Sequence, residues 1–179
     1  MKRSLVLLFA LGCSTSGNVI SAGHPAALHV SERAARVYAD AIVIDTHNDM
    51  PSKMIDDGYN PDVRHAPGFA ADQGETDLPR LVESGLTGVF LSAYVDPEKW
   101  TFRTPDQSWK QVQVYLDSIH AFVRRHPDRL VFATTAAEVR RAKAENKIAM
   151  LIGVEGGHSI ENSIDNLREL HRRGVRYMT

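Results

Sequence analysis

Three apolar runs limit what this chain can fold into: Ala41-Ile42-Val43-Ile44, Gly88 to Val95, and Ile148 to Val154. Runs of this length without alternating polar positions read as strands buried on both faces. Helix signals lie between them. Ser31 caps a short helix from Glu32 to Ala39, and a brief helix from Leu78 to Ser84 ends at Gly85. Thr104-Pro105-Asp106-Gln107 has the form of a capping box with Pro at the first helical position. The helix that follows places Trp109, Val112, Leu116, Ile119 and Val123 on one face. Thr135 and Glu138 form a second capping box, for a helix running to about Glu145. Ile160, Ile164, Leu167 and Leu170 mark an amphipathic helix closed by Gly174, and Val175 to Met178 begins a further strand. The stretch from Pro51 to Glu75, rich in Gly, Pro and Asp, reads as a loop.

Repeated strand–helix units with apolar strands imply an α/β fold, a parallel sheet covered by helices. A doubly wound sheet and a (β/α)8 barrel both satisfy the pattern. A barrel typically takes about 250 residues, so the 179 residues here would supply the N-terminal part, about half, of a TIM-type barrel. The chain ends inside an expected strand, so Thr179 is expected to be a truncation point.

The first residues have a different character. Lys2 and Arg3 precede the apolar run Leu5 to Leu11, and Gly12 to Gly17 turns small and polar. This is the profile of a secretory signal, too short to span a bilayer. Residues 1–22 are therefore expected to be removed, leaving 23–179 as the exported domain, periplasmic or in the cell envelope. Two processing readings compete. Cleavage near Ala22 releases a soluble protein, whereas cleavage before Cys13 leaves a lipid anchor, because Ala10-Leu11-Gly12-Cys13 resembles a bacterial lipobox.

Cys13 is the only cysteine. The mature domain can hold no internal disulfide, thiolate metal site or cysteine nucleophile, so any metal must be held by His, Asp and Glu. The net charge is −1 and no run of like charge reaches five residues, which leaves nucleic acid without an electrostatic footprint. There is no Gly-x-Ser-x-Gly elbow, Walker loop or His-Glu-x-x-His helix.

Chemistry concentrates at two strand exits, the end where ligands bind in α/β folds. The first is Asp45-Thr46-His47-Asn48-Asp49-Met50-Pro51. If the chain stays extended there, His47 and Asp49 point to the same face, and an imidazole with a carboxylate suits a divalent cation. The pattern is weak alone: it recurs at His126-Pro127-Asp128, at a surface helix end, and a polar turn explains it equally well. The second is Val154-Glu155-Gly156-Gly157-His158-Ser159. The carboxylate of Glu155 could bridge two metals about 3.5–4 Å apart, or be a plain loop glutamate. His158 either orients a ligand or starts a helix without a chemical part. His120, His126 and His171 are expected to be solvated, and nothing singles out His65, His24 or His29.

Together these segments resemble the membrane (renal) dipeptidase family of zinc peptidases, including its bacterial members. The Asp45 to Pro51 segment is similar to the family's first metal motif and Ile152 to Ile160 to its second. Asp77-Leu78-Pro79-Arg80-Leu81, with Gly85, Gly88, Phe90 and Ser92, is similar to the helix–strand unit between them. The likeness runs from about Arg36 to Thr179.

The resemblance implies a (β/α)8 barrel with two zinc ions, His47 and Asp49 binding one and Glu155, catalytic as well as ligating, bridging both. It implies hydrolysis of dipeptides by a metal-bridged hydroxide, tolerance of a D-residue at the C-terminal side, and in some members β-lactam opening. The homodimer is left open. The family's further histidine ligands, substrate-binding histidine and arginine, and acid/base aspartate have no counterpart here, so the isolated chain is expected to show little dipeptidase activity. Two alternatives stand beside this: a related barrel hydrolase acting on another amide, lactam or ester, and an exported binding protein without catalysis.

Overall fold

The computed structural model describes residues 30–97 and 106–179. Residues 1–22, expected to be a signal and containing Cys13, together with His24, His29 and the Thr104-Pro105 half of the first capping box, lie outside the described residues. From the N-terminus the elements are α1 (Glu32–Asp40), β1 (Ile44–Asn48), α2 (Met50–Asp56), α3 (Leu78–Ser84) and β2 (Gly88–Tyr94). Next come α4 (Gln107–Arg125), β3 (Leu130–Phe132), α5 (Ala136–Ala144) and β4 (Ile148–Glu155). A 3₁₀ turn (Gly157–Ile160), α6 (Ile164–Arg172) and β5 (Val175–Met178) complete the order. Among the described residues no helix is long and apolar enough to cross a membrane.

The five strands form one sheet in which every pairing is parallel, as the strand–helix alternation requires. β2 and β4 form its centre, paired from Gly88↔Ala149 to Tyr94↔Glu155. β1 flanks β2. The other edge of β4 is shared: β3 takes Ile148 to Met150 and β5 takes Ile152 to Val154. β4 is buried from Ile148 to Val154, which is why its sequence is apolar without alternation.

The core lies between the central strands and α4. That helix buries Val112, Tyr115, Leu116, Ile119, Phe122 and Val123 along the stripe expected from its spacing, with Trp109 half-buried at its start. The capping box at Thr135 forms as expected, its hydroxyl accepting from Glu138 N–H while Glu138 accepts from Thr135 N–H. Asp77 caps α3 from its own side chain, and Gly85 ends that helix in the left-handed region, at φ 72°.

Three expectations need correction, and one strand has no counterpart among those expected. The strand at Ala41 to Ile44 begins only at Ile44 and is not buried on both faces; Ile42 and Ile44 are 44% and 36% exposed. β1 pairs only with β2 among the described residues, so its outer edge lacks cover. The expected loop after Pro51 opens with α2, whose second residue is Pro51, a tolerated position because an initial N–H has no helical partner. β3 was too short to stand out, at three residues. Finally, Asp106, expected inside the first turn of α4, precedes the helix in the left-handed region and supplies no side-chain cap. Glu161 does this instead, accepting from Asp106 N–H at 2.7 Å and Trp109 N–H at 2.9 Å. The charge suits the positive helix end.

Candidate metal centre

β1 does not run straight into the site. Asp45 pairs with Val89 and Asn48 with Leu91, so β1 spends one residue more than β2 and bulges at Thr46 and His47. Side chains hold the bulge. Asp45 accepts from His47 N–H at 3.1 Å and from the Asn48 amide at 2.9 Å. Asn48 also donates to Thr76 at 3.0 Å, and its side-chain Oδ1 accepts from Met50 N–H. Extended structure stops there: Asp49 has φ −89° and ψ 16° and precedes α2. His47 and Asp49 therefore meet through a bulge and a helix start, not through strand alternation.

Glu155 is the last residue of β4. Gly156 beside it has φ 92°, and a Cβ there would stand 2.3 Å from the His158 ring, so this position needs glycine on two counts. His158 donates from Nε2 to the carbonyl of Val95 at 2.8 Å. That contact ties the turn after β4 to the end of β2.

The side chains of His47, Asp49 and Glu155 converge. His47 Nε2 is 3.1 Å from Asp49 Oδ1 and 2.9 Å from Glu155 Oε2. One donor atom from each lies within 4.8 Å of the other two. Each side chain keeps more than a third of its surface open, so the cluster faces an accessible space. Asp49 and Glu155 have no Lys or Arg partner among the described residues, and Asp45 adds a third carboxylate close by. Two carboxylates and one imidazole nitrogen suit zinc or a harder divalent cation, so the donor set fits the metal that the resemblance implies.

Two residues with no expected role also reach this cluster. Ser92, fully buried on β2, donates to Glu155 Oε2 at 3.4 Å. Tyr177 on β5 places its hydroxyl 3.0 Å from His47 Nδ1 and 3.3 Å from the Thr46 carbonyl. Burial, then the charges of Asp49, Glu155 and Asp45, push the Tyr177 phenol above its ordinary range. Neither residue could be singled out earlier, because each acts across strands whose register is not written in local spacing.

Among the other described histidines, two depart from the solvated positions expected. His120 donates to the Arg173 carbonyl at 3.0 Å and packs on Phe132; burial lowers its pKa. His126 meets Asp62 at 3.0 Å. His65 packs on the Tyr59 ring, its ring nitrogens near the carbonyls of Asn60 and Asp72. His171 is exposed.

With this geometry in view, the comparisons with known proteins are informative. The sequence profile of the membrane dipeptidase family, peptidase family M19, matches residues 31–179. A curated relative, dipeptidase verJ of Clonostachys rogersoniana, is 37% identical over 82% of this chain and 39% of its own length. Dipeptidase ataJ of Aspergillus terreus is 35% identical, over 82% of this chain and 37% of its own. The chain thus spans about two fifths of the length of these relatives. Among solved structures, a dipeptidase described as a metallo peptidase of family M19 superposes with TM-score 0.63 at 26% identity, covering 76% of this chain and 41% of that one. A metallo peptidase from Rhodobacter sphaeroides, liganded with a phosphinate mimic of L-Ala-D-Ala, shares the fold with TM-score 0.61 at 24% identity, covering 76% and 44%.

Proposed function

Because the chain belongs to the membrane dipeptidase family, peptidase family M19, whose fold is of the TIM-barrel type and which this chain covers in part, we propose that His47, Asp49 and Glu155 bind zinc for the hydrolysis of dipeptides. The observation that carries this reading is the meeting of three donor atoms within 4.8 Å at the ends of two different strands. Sequence likeness to two dipeptidases supports the substrate class. In this reading His47, Asp49 and Glu155 would hold one ion, and Glu155 would also help to hold a second.

Zinc supplies an activated water and polarises the peptide carbonyl. The chain's own residues set where that chemistry happens. The bulge at Thr46 and His47 aims the imidazole into the site, Gly156 lets the backbone turn beside Glu155, and Ser92 fixes one Glu155 oxygen. Three donors are fewer than the coordination shells of two zinc ions need. The reading therefore requires further donors for the second ion, and expects the 179 residues alone to turn over dipeptides weakly or not at all. It also includes export directed by residues 1–22, with a soluble or Cys13-anchored product.

The test combines zinc titration with an assay on L-Ala-L-Ala and L-Ala-D-Ala. The proposal expects zinc to bind the chain and His47→Ala or Asp49→Ala to abolish most of that affinity. Zinc content unchanged in both variants contradicts it and favours a non-catalytic binding protein. Robust dipeptide turnover by the 179 residues alone contradicts the expected need for further donors.

A further inference from the structure

We propose that Tyr177 is a positioning residue for the metal centre: its hydroxyl holds the proton of His47 on Nδ1, so that Nε2 presents a lone pair to a cation between Asp49 and Glu155. This rests on the zinc reading above.

A neutral imidazole carries one N–H, and which nitrogen bears it is set by what the other nitrogen meets. At the Tyr177 hydroxyl the choice is constrained. The Thr46 carbonyl, 3.3 Å away, can only accept, and it takes the single phenolic proton. In the proposed arrangement the hydroxyl oxygen accepts from Nδ1–H, 3.0 Å away, and a cation at Nε2 selects this tautomer over the one in which the phenol donates to Nδ1. Nε2, on the far side of the ring, is the atom facing Asp49 and Glu155. Hydrogen bonding at the nitrogen remote from the metal is the usual way a ligating histidine is fixed in tautomer and orientation.

The tyrosine is seated by backbone. Tyr177 pairs with Gly153 of β4, and a Cβ added at Gly153 would fall 2.1 Å from the Tyr177 ring. Only the missing side chain lets the ring lie across β4. Phe90 of β2 packs against it, ring centres 5.2 Å apart. Gly153, Phe90 and the Thr46 carbonyl thus define where the hydroxyl stands, which a residue of generic packing would not require.

The experiment uses the intact chain, Tyr177→Phe in it, and zinc as the probe. Affinity comes from chelator competition, and nitrogen NMR of the zinc-loaded protein reports which His47 nitrogen is metallated and how fast the other exchanges its proton. The wild type is expected to show zinc on Nε2 and a slowly exchanging Nδ1–H. Tyr177→Phe keeps the ring in its seat, so the fold should survive, while affinity falls about tenfold and the Nδ1–H exchanges quickly. Zinc on Nδ1 in the wild type, or a fast-exchanging Nδ1–H there, overturns the proposal without any variant. So does a Tyr177→Phe protein with unchanged affinity and exchange. A wild type that binds no zinc contradicts the metal reading itself and the proposal with it.

Discussion

Glu155 Oε2 at the end of β4 stands 2.9 Å from His47 Nε2 at the end of β1, with β2 lying between the two strands. Their side chains meet across the end of β2, with the bulge in β1 placing His47, and Ser92 on the intervening strand holds the carboxylate. Glu155→Gln preserves shape and removes the charge. Partners that merely orient a ligand are worth 10–100-fold in metal affinity, so loss of the ligand itself should weaken zinc binding by more than about a hundredfold. Ser92→Ala should cost about tenfold or less. Chelator competition on both variants measures the order, and equal effects contradict it.

Gly153→Ala tests the seat of Tyr177. The new Cβ meets the ring at 2.1 Å, and overpacking of this kind costs about 1–3 kcal/mol. Urea denaturation should show that loss. Zinc affinity should fall along with it, because the displaced ring no longer holds the hydroxyl against His47. A destabilised variant with full zinc affinity would separate the two effects.

Asp77 is one carboxylate through which acid should destabilise the fold. It is fully buried, caps α3 through Arg80 N–H, receives His65 N–H and is bonded by Arg80 Nε at 2.9 Å. Burial raises the Asp77 pKa, but the Arg80 and backbone hydrogen bonds outweigh it and leave the carboxyl below its ordinary range. Its unfolded-state pKa, about 3.9, is then the higher of the two. The stabilisation is complete above that value and is lost as pH falls through the folded value. Asp77→Asn should be less stable at neutral pH by about 2 kcal/mol and should lose less on acidification below about pH 4. Denaturation midpoints of both proteins across that window test it; parallel curves contradict it.

Glu161→Ala should destabilise the start of α4 by about 1 kcal/mol, the typical worth of a helix cap. Hydrogen exchange at Trp109 and its neighbours should rise, with zinc affinity unchanged. A cap supplied by Asp106 alone would leave exchange as in the wild type.

Parts of this structure were legible in the sequence and parts were not, for identifiable reasons. The parallel sheet and the face of α4 follow from long periodic apolar patterns. Glu155 and its glycines stand at a strand end that any reading would place. The approach of His47 was visible as a residue pair but not as a mechanism. Asp45 and Asn48 replace ladder bonds with side-chain bonds to nearby backbone, which bulges a strand that pattern alone would draw straight. α2 was hidden because Pro51 and the aspartates after it resemble loop composition. Tyr177, Ser92 and Glu161 matter through partners on other elements, and that pairing comes only from the register of the folded sheet. His120 and His126 were misplaced for the same reason, their partners Arg173 and Asp62 being remote in sequence.

The central claim is that His47, Asp49 and Glu155 hold one metal ion together. Anomalous diffraction at the zinc edge from zinc-soaked crystals tests it most directly. The account predicts a peak about 2.0–2.2 Å from His47 Nε2 and from one oxygen each of Asp49 and Glu155. A zinc peak elsewhere, or none within reach of these three residues, would contradict it.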